Sequence, residues 1–195
     1  MKYLKVFLVF ILLILVSVTF SKDLLGYKDF QWGSTKNEIM KIIKNEGVVK
    51  EDYDDGFNRI VQELKNSDIF KKTFYFKNNA LVKVKVNYDE KKINSSYVSS
   101  MISDFNKNYG KNLVENVNEE QGGSSLSIIT TGKKYIWKLK SSIIELFDVT
   151  EKWIYANSEY DQQFYGAPPT SKKTYKLAYI IYFSTEHLEE INVEY

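Results

Sequence analysis

The residues of this sequence that could do chemistry are a single histidine, scattered carboxylates and many aromatic side chains. The chain has no Cys, and His187 is its sole His, which excludes thiol redox chemistry and thiolate or clustered-His zinc sites within one chain. A Ser–His pair also needs a third group to orient the base, and STEHLEEIN around His187 offers no GxSxG or similar nucleophile. We therefore expect no catalytic residue and no cofactor, with His187 an exposed surface residue.

The acidic stretch DYDDGFNRIVQE invites comparison with a calcium loop. Asp52, Asp54 and Glu63 would fall at positions 1, 3 and 12 of an EF-hand. Gly56 would then stand at position 5 and Phe57 at position 6, where the loop needs an oxygen ligand and a Gly. We interpret the stretch as a solvated acidic turn and predict no metal site.

Paired carboxylates for glycoside hydrolysis could come from four acids near the C-terminal third, Glu145, Asp148, Glu151 and Asp161. That mechanism needs two carboxyl groups at a separation of about 5 Å or more. The spacing of these acids along the chain does not show whether any two of them lie at that separation. A hydrolase is therefore kept only as the less favoured alternative.

A loop-like aromatic segment, YANSEYDQQFYGAPP, precedes and includes the only two prolines, Pro168 and Pro169. Aromatic side chains on loops are suited to recognising a peptide, a sugar or a partner surface. The residues predicted to bind a ligand are Trp153, Tyr155, Tyr160, Phe164 and Tyr165. The alternative is that these rings cover the open end of a sheet.

The N-terminus has the layout of a secretory signal peptide. Lys2 and Lys5 precede an apolar run, and the small residues Thr19 and Ser21 stand at cleavage spacing. We predict a signal peptide at 1–21, and thus a periplasmic or secreted protein. The alternative is an uncleaved anchor, because the apolar stretch approaches the length of a spanning helix.

Charge limits the partners of the mature chain. Removing Lys2 and Lys5 from the 27 basic residues leaves 25, equal to the 25 acidic residues. A neutral domain lacks the basic patch that nucleic acid requires, and Arg59 is the sole Arg. We expect no nucleic-acid partner, and membrane contact only through an uncleaved N-terminal segment.

The stretch YKDFQWGSTKNEIMKII begins the exported chain with an architectural motif. Its members are Phe30, Trp32, Gly33, Thr35 and Glu38. Thr35 and Glu38 have the spacing of a capping box, which predicts a helix over 36–46. Trp32 would cover the core, and Gly33 would turn the backbone into the helix.

Later segments alternate in hydrophobicity and predict strands. The clearest is a hairpin over 68–88 with KNNA as its turn and Lys83 and Lys85 facing outward. A second helix follows over 94–110, and further strands follow a predicted EEQGGSS loop, with a turn at TGKK. Short links favour antiparallel pairing.

These elements predict an α+β fold, with two main helices packed on one face of an antiparallel sheet or sheets. Each helix is followed by strands, which suggests two similar half-domains. We predict one domain over 22–195, with a subdivision near 110–123 as the alternative.

The motifs FQWGSTKNEIMKII, FYFKNNALVKVKVNY, FNKNYGK, YIWKLKSSIIELFD and LAYIIYFS together resemble a family of small exported bacterial proteins without characterised activity. Its mark is an aromatic residue, a spacer, Trp-Gly, Ser or Thr, and a helix. A looser resemblance is to envelope-assembly proteins of the BamE type, which are usually lipidated on a Cys that this chain lacks. The resemblance implies the fold and no activity.

Taken together, the residues favour an exported, non-enzymatic binding or interaction protein of the bacterial envelope. Its partner would be an envelope protein or a peptide. The alternative is a periplasmic structural or assembly factor that pairs with envelope proteins through a sheet edge.

Overall fold

A computed structural model describes residues 22–54, 56–123, 125–157, 162–163, 165–166 and 170–191. The predicted signal peptide, 1–21, lies outside the described residues. So do Asp161, two of the predicted binding residues, Tyr160 and Phe164, and the two prolines.

The described chain is a mixed α+β structure dominated by one large antiparallel sheet. Two longer helices, a short hairpin, a C-terminal 3-10 turn and a four-residue helix complete it. In chain order the elements are β1 Gly26–Tyr27, β2 Phe30–Gln31, α1 Lys36–Ile43, β3 Val48–Asp54, β4 Phe57–Glu63, β5 Ile69–Lys77, β6 Ala80–Tyr88, α2 Ser95–Tyr109, β7 Leu113–Gly122, β8 Leu126–Lys138, β9 Ser142–Ala156, β10 Thr170–Ser184, a 3-10 turn Thr185–His187 and α3 Leu188–Ile191. The α+β class with an antiparallel sheet is thus confirmed.

The eight strands β3 to β10 form a single sheet in the order β3-β4-β5-β6-β10-β9-β8-β7. Every neighbouring pair is antiparallel. Strands β6 and β10 meet in the middle, where Val86 is opposite Ile180 and Val84 is opposite Tyr182. Two runs of four consecutive strands are therefore joined along one central strand pair.

Helix α1 begins as the sequence predicts and ends earlier. The Thr35 side chain accepts from the Glu38 N–H while Glu38 accepts from the Thr35 N–H at 2.7 Å, which is a capping box. The predicted end at residue 46 is wrong, because the last helical residue is Ile43. The buried Gln62 amide reaches across from β4 and donates to the Glu46 carbonyl at 2.6 Å.

The predicted central hairpin is confirmed as β5 and β6. Asn78 and Asn79 both have positive φ, at 49° and 65°, as a two-residue hairpin turn requires. The pairing slips between Tyr75 and Phe76. Because of this bulge, Val82 belongs to a different apolar cluster from Val84, although the alternation predicts one face for both.

Two predicted loops are parts of strands. The TGKK turn does not exist, because β8 runs unbroken through Gly132. Gly132 has φ 153°, and a Cβ there would lie 2.7 Å from the Cα of Val149 on β9. Glycine thus lets the strands approach rather than turn. Likewise, the first half of EEQGGSS belongs to β7, which continues to Gly122.

The predicted acidic turn is also mainly strand. Residues 51–54 lie in edge strand β3, so four strands separate α1 from α2. Short charged stretches resemble turns by composition alone. Charged side chains are, however, equally typical of exposed edge strands.

The main apolar cluster joins residues of both helices with residues of the sheet. Its fully buried members are led by Trp137, Phe74, Phe76, Ile39, Ile43, Ile60, Leu81, Ile144, Leu146 and Ile180. From α2, Val98 is buried in the same cluster. A smaller cluster holds Phe57, Val82, Ile136, Ile143 and Phe183, and Leu188 of α3 packs against it.

The segment before α1 is fastened to the turn between β8 and β9, more than a hundred residues away. Asp23 accepts from the Ser141 N–H at 3.0 Å and from the Ser141 hydroxyl at 2.7 Å. The Trp32 indole N–H donates to the Ser142 hydroxyl at 2.7 Å, and that hydroxyl donates to the Leu24 carbonyl. These hydrogen bonds hold the N-terminal segment against the β8–β9 turn.

Substituting Gly132→Ala should lower the free energy of unfolding by about 2 kcal/mol or more, because the new Cβ would clash with β9 and φ is positive. Urea unfolding followed by circular dichroism measures this. Gly123→Ala is the matched control, since nothing lies within 4 Å of its Cβ position. Equal stability of the two variants would contradict this account of β8.

Substituting Asp23→Asn should lower the free energy of unfolding by about 1.5 kcal/mol at pH 7, the lower end of the range for a hydrogen bond to a charged group. Burial alone would raise the pKa of Asp23, but the Ser141 hydrogen bonds outweigh it and lower that pKa. The Asp23 contribution is thus present above the ordinary value of 3.8 and is lost as pH falls through the folded-state pKa. The difference between wild type and variant should disappear in acid, whereas Asp29→Asn, at an exposed position, should change little at either pH.

Candidate functional site

The sheet has a second face, which points away from the main cluster. Register places its members opposite one another: Tyr75 with Lys83, and Tyr179 with Phe147. We call this surface the lysine–aromatic face, and its members are Tyr75, Lys83, Lys85, Phe147, Trp153, Tyr155, Tyr175 and Tyr179. All eight side chains are half-buried. The smaller apolar cluster, described above, lies on this face. Among the described residues, Leu188 is the one side chain from outside the sheet that packs against that cluster.

Five of the six aromatic rings of the face come from the paired strands β9 and β10, and the sixth, Tyr75, comes from β5. Phe147 and Tyr179 stack with centroids 4.5 Å apart and planes 16° apart. Further along the same strands, Trp153 lies edge-on to Tyr175 at 5.6 Å and tilted to Tyr155 at 6.1 Å. The Trp153 indole N–H donates to Glu151 at 2.8 Å. The rings form a row that a flat partner surface could contact.

Two lysines of β6 lie over these rings. The Lys85 ammonium is 4.1 Å from the Tyr179 centroid, and the Lys83 ammonium is 4.1 Å from the Tyr75 centroid. Such cation–π contacts hold the charge over the ring. Burial lowers the pKa of Lys85, and the nearby Lys71 charge adds to that effect. A carboxylate supplied from outside would therefore stabilise the Lys85 charge.

A buried carboxylate on the same face, that of Glu145, forms an ion pair with a lysine of the neighbouring strand. Glu145 is only 5% exposed, and its Oε1 lies 3.4 Å from the Lys134 ammonium. Lys134 also pairs with Glu115 of β7 at 2.8 Å. Burial by itself would lower the pKa of Lys134, but the Glu115 hydrogen bond and the Glu145 charge outweigh it and raise that pKa. Three strands are thus tied across the face.

One of the three acids considered for calcium, Glu63, pairs with Lys50, and the other two pair with Arg59. The Arg59 guanidinium contacts Asp52 at 2.5 Å and also Asp54. Arg59 and Asp52 line a shallow cavity of about 500 Å³ on the β3–β6 part of the face, together with Lys50, Glu63, Lys71, Lys85 and Asn87. The buried Arg59 Nε and Asn87 Oδ1 have no hydrogen-bond partner among the described residues. Nor do those residues include a group of three or more acids and histidines able to hold a metal ion.

The predicted ligand-binding residues are only partly brought together. Trp153 and Tyr155 lie on β9 rather than in a loop, and they share one side of the strand. Tyr165 is 73% exposed beyond the end of β9. Tyr160 and Phe164 lie outside the described residues. His187, expected to be exposed, is half-buried in the 3-10 turn and has an interaction partner.

Sequence reasoning missed Phe147, Tyr175 and Tyr179 as members of one surface. The pairing of β9 with β10 over fifteen residues creates that surface. A signal was present, because YKLAYIIYF places Tyr175 and Tyr179 four residues apart, on the same side of a strand. Only the register shows that Phe147 of β9 stands opposite Tyr179.

No protein-family model matches this sequence, and no curated protein and no solved structure matches the chain. Within the part of the chain that the structure describes, none of the helices is long and apolar enough to cross a membrane. Assignment of a function therefore depends on the geometry of the lysine–aromatic face.

Substituting Lys134→Met should lower the free energy of unfolding by about 3 kcal/mol or more, because Glu145 would be left buried without its cation. Adding Glu145→Gln should recover part of that loss, since the uncompensated charge disappears. Thermal and urea unfolding measure both effects. Lys133→Met, at the exposed neighbouring position, is the control, and a loss as large in that variant would contradict the assigned role of Lys134.

Proposed function

We propose that this chain is an exported, non-enzymatic interaction protein of the bacterial envelope that binds a protein or peptide through the lysine–aromatic face. The observation that carries the proposal is the row of half-buried rings on β9 and β10 with lysines of β6 beside it. Aromatic side chains concentrate binding energy at protein interfaces, because they bury large areas at low entropic cost.

The charges of the face indicate the chemistry of the partner. Lys85 is half-buried, and burial lowers its pKa. The partner would place an acidic side chain near Lys85 and apolar or aromatic side chains on the ring row. Catalysis finds less support here, because the most buried acid, Glu145, is already paired with Lys134.

Export is proposed from the signal-peptide pattern at 1–21, with cleavage after Ser21. If that segment stays attached, it would hold the domain at the membrane surface, and the membrane would then be a partner through the N-terminal segment alone. In both cases the described domain meets the periplasm or the exterior. Neither case requires a nucleic-acid partner.

We further propose that α1 and α2 pack on one face of the sheet and that the chain consists of two similar half-domains. The supports are that Ile39, Ile43 and Val98 share the main cluster and that each helix precedes four consecutive antiparallel strands. This arrangement would leave the opposite face available to a partner.

The alternative function, an assembly factor that pairs through a sheet edge, is supported by β7. This edge strand has ten residues, and its Leu113 and Val114 are 56% and 54% exposed. Against this role, β7 also carries Glu115, Glu119 and Glu120. Such charges oppose further strand pairing unless the partner is basic.

The experiment is capture of partners from solubilised envelope by the C-terminally tagged chain after mild cross-linking. We expect the wild type and Ile42→Ser, which changes an exposed position of α1, to recover the same protein. The double variant Trp153→Ser with Tyr175→Ser should recover at least about tenfold less.

Failure of the wild type to recover a partner, or full recovery by the double variant, would contradict binding through the face. Loss of the partner on changing Leu113 and Val114 to Lys, with the face intact, would instead support edge pairing. Circular dichroism of each variant checks that it folds.

A further inference from the structure

A separate cavity of about 550 Å³ lies away from the lysine–aromatic face, between the N-terminal segment, the β4–β5 connection and α2. Its volume is in the range of small-molecule sites. Five tyrosines from four elements line it, namely Tyr27, Tyr88, Tyr97, Tyr109 and Tyr182. We call it the tyrosine cavity.

The rings of the cavity pack against one another at inclined angles. Tyr27 and Tyr182 are 5.0 Å apart and tilted by 52°, while Tyr88 and Tyr97 are 6.1 Å apart at 62°. Aromatic groups prefer such edge-on or offset contacts, so a further ring placed among them would meet favourable edges and faces. Leu24 and Ile69 add apolar walls.

The tyrosine hydroxyls remain protonated in the physiological range. Burial raises the pKa of Tyr27, of Tyr88 and of Tyr182. Each hydroxyl can therefore donate a hydrogen bond to an acceptor in the cavity. Neighbouring hydroxyls also disfavour each other's ionisation, which indicates how closely they are grouped.

The charged residues at the cavity leave an unbalanced positive charge. Asp68 is the acid that lines it, and it is already engaged by the Tyr97 hydroxyl and by Lys92 at 3.9 Å. Lys22 and Lys28 also line the cavity, both are exposed, and neither forms an ion pair within the described part of the chain. An anionic group entering the cavity would meet these two ammonium groups.

We propose that the tyrosine cavity binds a small aromatic carboxylate, with the ring among the tyrosines and the carboxylate toward Lys22 and Lys28. This site is distinct from the proposed protein-binding face, because none of its lining residues belongs to that face. The chain would then have a small-molecule site as well as a partner surface.

The test uses two probes of equal size, 4-hydroxyphenylacetate and its neutral analogue 4-hydroxyphenylacetamide. They are titrated into the protein recovered after expression of the full-length chain, and backbone amide shifts are followed by NMR. The acid should shift Gly26, Lys28, Ile69 and Tyr88, with a Kd of about 1 mM or tighter. The amide should bind at least about fivefold more weakly, because it lacks the charge.

Variants locate the interaction. Lys28→Gln should weaken the acid about fivefold and leave the amide unchanged, whereas Lys152→Gln, at an exposed position on β9, should change neither. Tyr88→Phe, which keeps the ring and removes one hydroxyl, should weaken both probes.

Three results would overturn the proposal. The first is no localised shift with either probe, and the second is equal affinity for acid and amide. The third is shifts confined to Phe147, Trp153 and Tyr179, which would place the acid on the other face. Amide spectra of each variant report its folding independently.

Discussion

The pairing of β6 with β10 is the constraint on which the rest of the structure depends. These strands are the ends of two four-strand runs, and their register sets Val84 and Val86 against Tyr182 and Ile180. The four side chains are buried, three of them almost completely. Because side chains alternate along a strand, a slip of one residue would turn this apolar set outward and bring lysines into the core. Burial of these four side chains therefore fixes the register between β6 and β10.

The same register determines what the opposite side of the sheet displays. With Val84 and Val86 inward, Lys83 and Lys85 must face outward, where they meet Tyr75 and Tyr179. Apolar burial on one side thus fixes the positions of cations and rings on the other. Partial burial of Lys85 has an energetic cost, which is reflected in its lowered pKa.

Local features could be predicted from the sequence, and non-local ones could not. The Thr35–Glu38 capping box and the Asn78–Asn79 turn depend on residues within four positions of one another, and both are present. The prediction at Gly132 is wrong because glycine is equally typical of a turn and of a close approach between strands. Only the position of β9, whose backbone leaves no room for a Cβ at Gly132, distinguishes the two cases. The Asp23–Ser141 contact joins residues 118 positions apart, and no periodicity reports such a pair.

The candidate sites follow the same division. Trp153 and Tyr155 could be selected as aromatic residues of one short stretch, but the ring that contacts Trp153, that of Tyr175, comes from β10, which starts after the intervening segment. The tyrosine cavity draws on five elements, so its residues have no common spacing. Strand β10 nevertheless contributes to both sites, with Tyr179 on the face and Tyr182 in the cavity. An odd separation along a strand places those rings on opposite sides. Strand β10 is hydrogen-bonded to β6 on one edge and to β9 on the other. A ligand bound in the cavity would therefore change the face only by displacing the β6–β10 pair, and the burial of that pair opposes such a displacement.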